Sequence, residues 1–196
     1  MAVVSRFGSE VTSPDKSQAP NLAANDFALF QLPQQYAIDL PSLEQSWKAL
    51  QRHAHPDMYA QADASAQRLA MQWSVRINEA YQRLRDPLKR AAYLCELRGA
   101  PVNAENNTAM PAVFLMQQMA WREALDDATT LEDLDALAQQ VMASRSAALQ
   151  SCAALLDDQG DATGAVQQVR ALMFIERFSA DVQVRQDRLD VAERGQ

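Results

Sequence analysis

Trp47-Lys48-Ala49-Leu50-Gln51-Arg52-His53-Ala54-His55-Pro56-Asp57 is the stretch on which the reading of this chain turns. Leu43, Trp47 and Leu50 fall on one side of a helix that opens near Asp39 and Pro41, while Glu44, Lys48 and Arg52 fall on the other. Glu44 and Lys48 stand four apart, the spacing of an ion pair on a helix surface. Pro56 lacks an amide hydrogen and drives His55 out of the helical region, so the helix must stop and a loop begin at His55.

Beyond the loop, apolar spacing resumes near Ser65 and runs through Leu69, Trp73, Ile77, Ala80, Tyr81 and Leu84, a long helix. Asp86-Pro87 then supplies an N-cap and a first helical residue, and Gly99 a C-terminal stop. Upstream, Asn25 caps a short helix carrying Phe27 and Phe30 that halts at Leu32 before Pro33. Residues 25–99 therefore read as four helices, residues 1–24 as a flexible tail, and residues 100–108, with Pro101 and three asparagines, as a linker. Residues 109–196 read as three more helices. One runs from Pro111 to Asp127, and one from an N-cap at Thr129 or Thr130 to Leu156; the third, after a break over 158–164, carries Val166, Val169, Met173 and Phe178. The expected fold is all-α, a four-helix N-terminal domain followed by a three-helix antiparallel bundle.

Composition agrees with this. Hydrophobic residues make up 48% of 196, enough for a core, and only five glycines interrupt helix-forming Ala, Leu, Gln, Arg and Glu. The net charge of -7 argues against general nucleic-acid binding, which needs a basic footprint on phosphates. The charge is uneven: residues 25–99 hold nine basic and eight acidic side chains, residues 100–196 seven and fifteen. Two modules with different surfaces are expected. Without a signal-like or membrane-length apolar run, the chain reads as soluble and intracellular, with no membrane partner. Cys95 and Cys152 lie far apart outside any metal-binding spacing and read as small buried hydrophobes.

The chemistry concentrates in His55-Pro56-Asp57. An exposed Asp57 carboxylate can pair with an arginine on a partner, Pro56 limits the entropy lost on docking, and His55 offers directional hydrogen bonds. Lys48 and Arg52 on the outward stripe suit an acidic partner surface, or simply a solvated helix face. The plain alternative is that Pro56 stops the helix, His55 caps it and Asp57 solvates the turn. A metal or acid-base site built from His53, His55 and Asp57 is the other alternative. Helical positions two apart diverge by about 200°, and no further histidine completes a tetrahedral set. No phosphate loop or nucleophile elbow occurs either, so the chain does not read as an enzyme.

A histidine-proline-aspartate loop between an amphipathic helix and a long one, followed by a helix opening Asp86-Pro87-Leu88-Lys89-Arg90-Ala91-Ala92-Tyr93, resembles the J-domain family. The resemblance implies that His55, Pro56 and Asp57, with Lys48 and Arg52, dock on a DnaK-type chaperone and stimulate its ATPase. The run Phe114-Leu115-Met116-Gln117-Gln118-Met119, continued by Trp121-Arg122-Glu123-Ala124-Leu125, narrows it. With Tyr93-Leu94 and Leu97, it looks like the HscB/Jac family of iron-sulfur co-chaperones, from about Asn25 to the end of the chain. That resemblance implies a DnaK/HscA-type chaperone and an IscU-type scaffold as partners, with Leu115, Met116, Met119, Glu123 and Phe174 holding the scaffold. It implies no cofactor, a bacterial cytoplasmic setting, or the mitochondrial matrix were the source eukaryotic. Ala120 stands where the family usually has an acidic residue and Met58 where it has lysine, which bears on the strength of each contact. The residues alone add one point: Val113 to Met116 are four consecutive apolar positions on a helix, which cannot all face one core.

Overall fold

The computed structural model describes residues 24–103 and 110–194; the expected tail up to residue 23 and the 104–108 part of the expected linker lie outside the described residues. Seven α-helices, with one 3-10 turn and one π-turn between them, make up the regular structure among these residues: α1 Asp26–Leu29, α2 Leu40–Ala54, α3 Ala64–Arg85, α4 Pro87–Leu97, α5 Ala112–Asp127, α6 Leu131–Ala153 and α7 Ala162–Arg194. The all-α, two-part arrangement expected from the sequence is the one found.

Local chemistry sets most boundaries. Asn25 accepts from the Ala28 amide at 2.8 Å to open α1, and Asp63 and Asp86 each cap two amides at the starts of α3 and α4. Thr130 and Asp133 form a reciprocal capping box on α6. The expected run of the first helix to Leu32 is cut to one turn because Gln31 adopts φ +56° and the Leu32 amide reaches back to the Phe27 carbonyl at 2.9 Å. Gly99, at φ +77°, closes α4 in the same way, with Ala100 bonded to Cys95.

The break expected over 158–164 is shorter than the composition suggests. After Ala153 the helix widens into a π-turn, Ala154–Asp158, and α7 begins at Ala162. Gly164 lies inside the first turn of α7, its amide donating to Asp161 Oδ1 at 2.8 Å. A Cβ at that position would collide with the same carboxylate, so this glycine serves close approach of a cap rather than chain reversal.

Packing joins what the sequence separates. A main core gathers Phe27, Leu43, Ile77, Leu84 and Leu94 from the first four helices and Phe30 from the cap of α1, and continues without interruption into Cys152, Leu156, Val166 and Val169. A second core, Trp121, Leu137, Val141, Ile175, Phe178 and Val182, lies at the far end of the bundle. Helix α4 is the bridge, packing on α3 on one side and on α6 and α7 on the other. Polar links tie the junction. Asp157, from the π-turn, accepts the amides of Tyr36 at 2.7 Å and Ala37 at 2.8 Å. Arg98 donates to the Leu156 carbonyl, and Arg170 donates twice to the Val102 carbonyl at 2.9 and 2.6 Å. The start of the expected linker is thus buried at Val102 and tied down to α7.

Candidate functional site

The loop is held from beneath by the α2–α3 hairpin. Trp47 stacks on Tyr81 with ring centroids 4.6 Å apart and donates from Nε1 to Asn78 at 3.0 Å. Gln51 donates to the same Asn78 oxygen at 2.5 Å, and Ser74 donates to Gln51 Oε1 at 3.4 Å. This polar seam beside an aromatic stack sets the register of α2 on α3 and therefore where the loop points. Hydrophobic spacing in the sequence reveals Trp47 as inward but not Gln51, Ser74 or Asn78, because polar seam residues carry no periodic signal.

Ala54 ends α2, and His55 is extended, at φ -64° and ψ 128°, as a residue before proline must be. Pro56–Tyr59 then form one 3-10 turn. His55 Nδ1 accepts the Asp57 amide at 3.3 Å, which places the proton of a neutral ring on Nε2. Tyr59 donates from its hydroxyl to the His53 carbonyl at 3.2 Å, pinning the turn to the end of α2. The capping role set out as the plain alternative is therefore real, and it is compatible with docking. The His55 ring is fixed by its inner nitrogen while its side chain stays 56% exposed, and the Asp57 carboxylate stands 88% exposed at the tip, its Oδ2 3.5 Å from His55 Nδ1.

Lys48 and Arg52 lie on the exposed face of α2, as expected. Lys48 Nζ sits 2.7 Å from Glu44 Oε1, the pair the spacing anticipated. The hydrogen bond between them holds Glu44 below and Lys48 above their ordinary pKa values. Arg52 Nε donates to the Lys48 carbonyl at 3.3 Å, so its guanidinium folds along the helix. His53 lies exposed in the last turn of α2, two residues before its cap, and no group of three or more His, Cys, Asp or Glu among the described residues is placed to hold a metal ion.

The second predicted surface lies on α5. Phe114 meets Phe174 edge-on at 5.9 Å, and Trp121 stacks on Phe178 at 5.7 Å, so α5 turns Phe114, Gln118, Trp121 and Leu125 toward α7 and α6. The remaining apolar residues, Val113, Leu115, Met116 and Met119, are exposed, and Glu123 is exposed one turn beyond Met119. Phe174 differs from the other four predicted contacts. Its half-buried ring lies between Phe114 and Phe178, with the Arg122 guanidinium 5.8 Å above it, and so it chiefly seats α5 on α7. Two neighbouring apolar runs of one sequence thus divide into a packing stripe and an open stripe.

Several known proteins are similar to this chain. Residues 110–183 match the family model described as the HSCB C-terminal oligomerisation domain. The co-chaperone protein HscB homolog of Burkholderia thailandensis is 49% identical over 173 residues, which cover 87% of this chain and 98% of that protein. The homolog of Ralstonia nicotianae is 49% identical over 167 residues, 84% and 95% of the two chains. Among solved structures, chaperone HscB from Vibrio cholerae is similar at a TM-score of 0.73 and 35% identity, covering 85% of this chain and 99% of its own. Human co-chaperone protein HscB shares the fold at a TM-score of 0.81 and 22% identity, over 86% and 85%. At nearly half identity over almost the whole length of its relatives, carrying the His55-Pro56-Asp57 loop and the open α5 stripe, the chain belongs to the HscB family of J-domain co-chaperones.

Proposed function

We propose that this co-chaperone stimulates the ATPase of a DnaK/HscA-type chaperone through His55, Pro56 and Asp57, steered by Lys48 and Arg52. It delivers to that chaperone an IscU-type iron-sulfur scaffold bound on α5 through Leu115, Met116, Met119 and Glu123, with Phe174 at the edge. The domains doing this are residues 25–99 and 109–196, and the setting is the bacterial cytoplasm. The observation that carries the reading is the Asp57 carboxylate, held out at the tip of a braced hairpin with the His55 ring fixed beside it. An exposed anion on a backbone turn pinned through His55 and Tyr59 suits a bidentate arginine contact, with little backbone ordering left to lose on docking. The cluster is cargo of the scaffold, and no residue set here is assigned to it.

Steady-state ATPase of the chaperone, with scaffold, is the test. The wild-type chain should accelerate hydrolysis, and Asp57→Asn should remove roughly tenfold or more of the acceleration. Because Asp57 is so exposed, the same substitution should shift unfolding stability by no more than about 0.5 kcal/mol. Acceleration that is indifferent to the scaffold would instead assign the chain to a J-protein of another client.

A further inference from the structure

We infer that Met116 and Met119 together form an oxidation site that switches partner binding on α5; the inference rests on the reading of that face as the scaffold surface. Met116 is 70% and Met119 71% exposed, three residues apart on one helical face with Val113 and Leu115 beside them. Other exposed methionines, Met58, Met71, Met142 and Met173, lie on α3, α6, α7 or beside the loop and are not paired within one turn. Thioether oxidation follows access of the oxidant to sulfur, so these two side chains are open to a peroxide without any unfolding.

The sulfur lone pair attacks one oxygen of hydrogen peroxide, the O–O bond breaks, and an S–O bond forms. The second oxygen leaves as water once the proton has shifted. Sulfur gives up two electrons and the peroxide takes them. Methionine sulfoxide reductases return the thioether at the expense of two thiols, which become a disulfide, and the oxygen leaves as water.

The consequence follows from where the sulfurs are. A sulfoxide on an exposed helix face stays hydrated, and the packing of α5 runs through Phe114 and Trp121 on the opposite side, so the fold is left intact. Against an apolar partner the two new oxygens must shed water without a donor to replace it, which opposes docking. Oxidation therefore acts on binding and not on stability.

The test uses the full chain and a purified IscU-type scaffold protein. Graded hydrogen peroxide is applied to the chain alone, oxidation at each methionine is read by peptide mass, and scaffold affinity is measured by calorimetry before and after. Oxidised wild type should bind roughly tenfold or more weakly at an unchanged melting temperature, and reductase treatment should restore it. The Met116→Leu, Met119→Leu double variant should have the same affinity before and after peroxide. Undiminished binding by wild type oxidised at both positions overturns the switch, as does equal weakening of the double variant. Failure of untreated wild type to bind the scaffold overturns the docking reading itself.

Discussion

Asp26 is fully buried, a charged side chain where the sequence offers only an acidic residue in the first turn of a short helix. Arg83 Nη1 donates to its Oδ2 at 2.8 Å, and Arg76 Nη2 lies 2.6 Å from Oδ1 as an ion pair while donating to the Ala24 carbonyl at 2.9 Å. The Tyr93 hydroxyl accepts the Asp26 amide at 3.0 Å, and Arg83 lies 4.9 Å above the Tyr93 ring. The carboxylate thereby binds α1 to α3, and the backbone amide of the same residue ties α1 to α4. Substituting Asp26→Asn leaves two arginines facing a neutral group inside the fold. Loss of one partner from a buried pair costs about 3–5 kcal/mol, and the partial exposure of both arginines lowers this toward about 2–4 kcal/mol. Urea unfolding of the variant should show that loss, and a change under about 1 kcal/mol would show that water already screens the site.

At the scale of elements, what was legible is what is local. Asn25 and Asp86-Pro87 announce helix starts, and the Thr129-Thr130 pair does so to within one residue, because a cap reads only its next three residues. Pro56 announces the loop for the same reason. The open α5 stripe was legible from geometry alone, since four consecutive apolar residues exceed what one face can bury. What failed to show was whatever depends on a distant partner. Asp26 becomes buried only because Arg76 and Arg83 arrive from α3, and Phe174 becomes a packing ring only because α5 lays Phe114 and Arg122 against it. The π-turn was hidden because Leu155, Leu156, Asp157 and Asp158 are ordinary helical residues; the shift to i→i-5 bonding, with Gln159 bonded to Ala154, is what aims Asp157 across the junction.

On the scale of the whole molecule, that junction makes two parts one body. Asp157 satisfies two amides of the other part with one carboxylate, so Asp157→Ala should cost about 1–3 kcal/mol and speed hydrogen exchange at Tyr36 and Ala37; unchanged exchange there would remove the latch from the account. The junction also gathers the groups whose protons the fold holds most tightly. Burial, countered only partly by Arg98, pushes the Cys95 thiol up to about 11. Burial and the neighbouring Cys95 push Cys152 to about 12, and burial, opposed by Arg90, pushes Tyr36 to about 12. Unfolded thiols release their protons near pH 9.0 and the folded ones do not, so above that pH the unfolded state binds fewer protons than the folded state. Stability from these groups is complete below about pH 9 and is lost as pH rises through the folded values, at most about 1.4 kcal/mol per pH unit for each group. Urea midpoints taken from about pH 8 upward should decline, and Cys95→Ala, Cys152→Ala should flatten the slope even where it lowers the starting stability. A slope that the double variant leaves unchanged would place the alkaline weakness elsewhere, whereas a flattened one assigns it to the two thiols buried in the core that joins the loop-bearing part to α6 and α7.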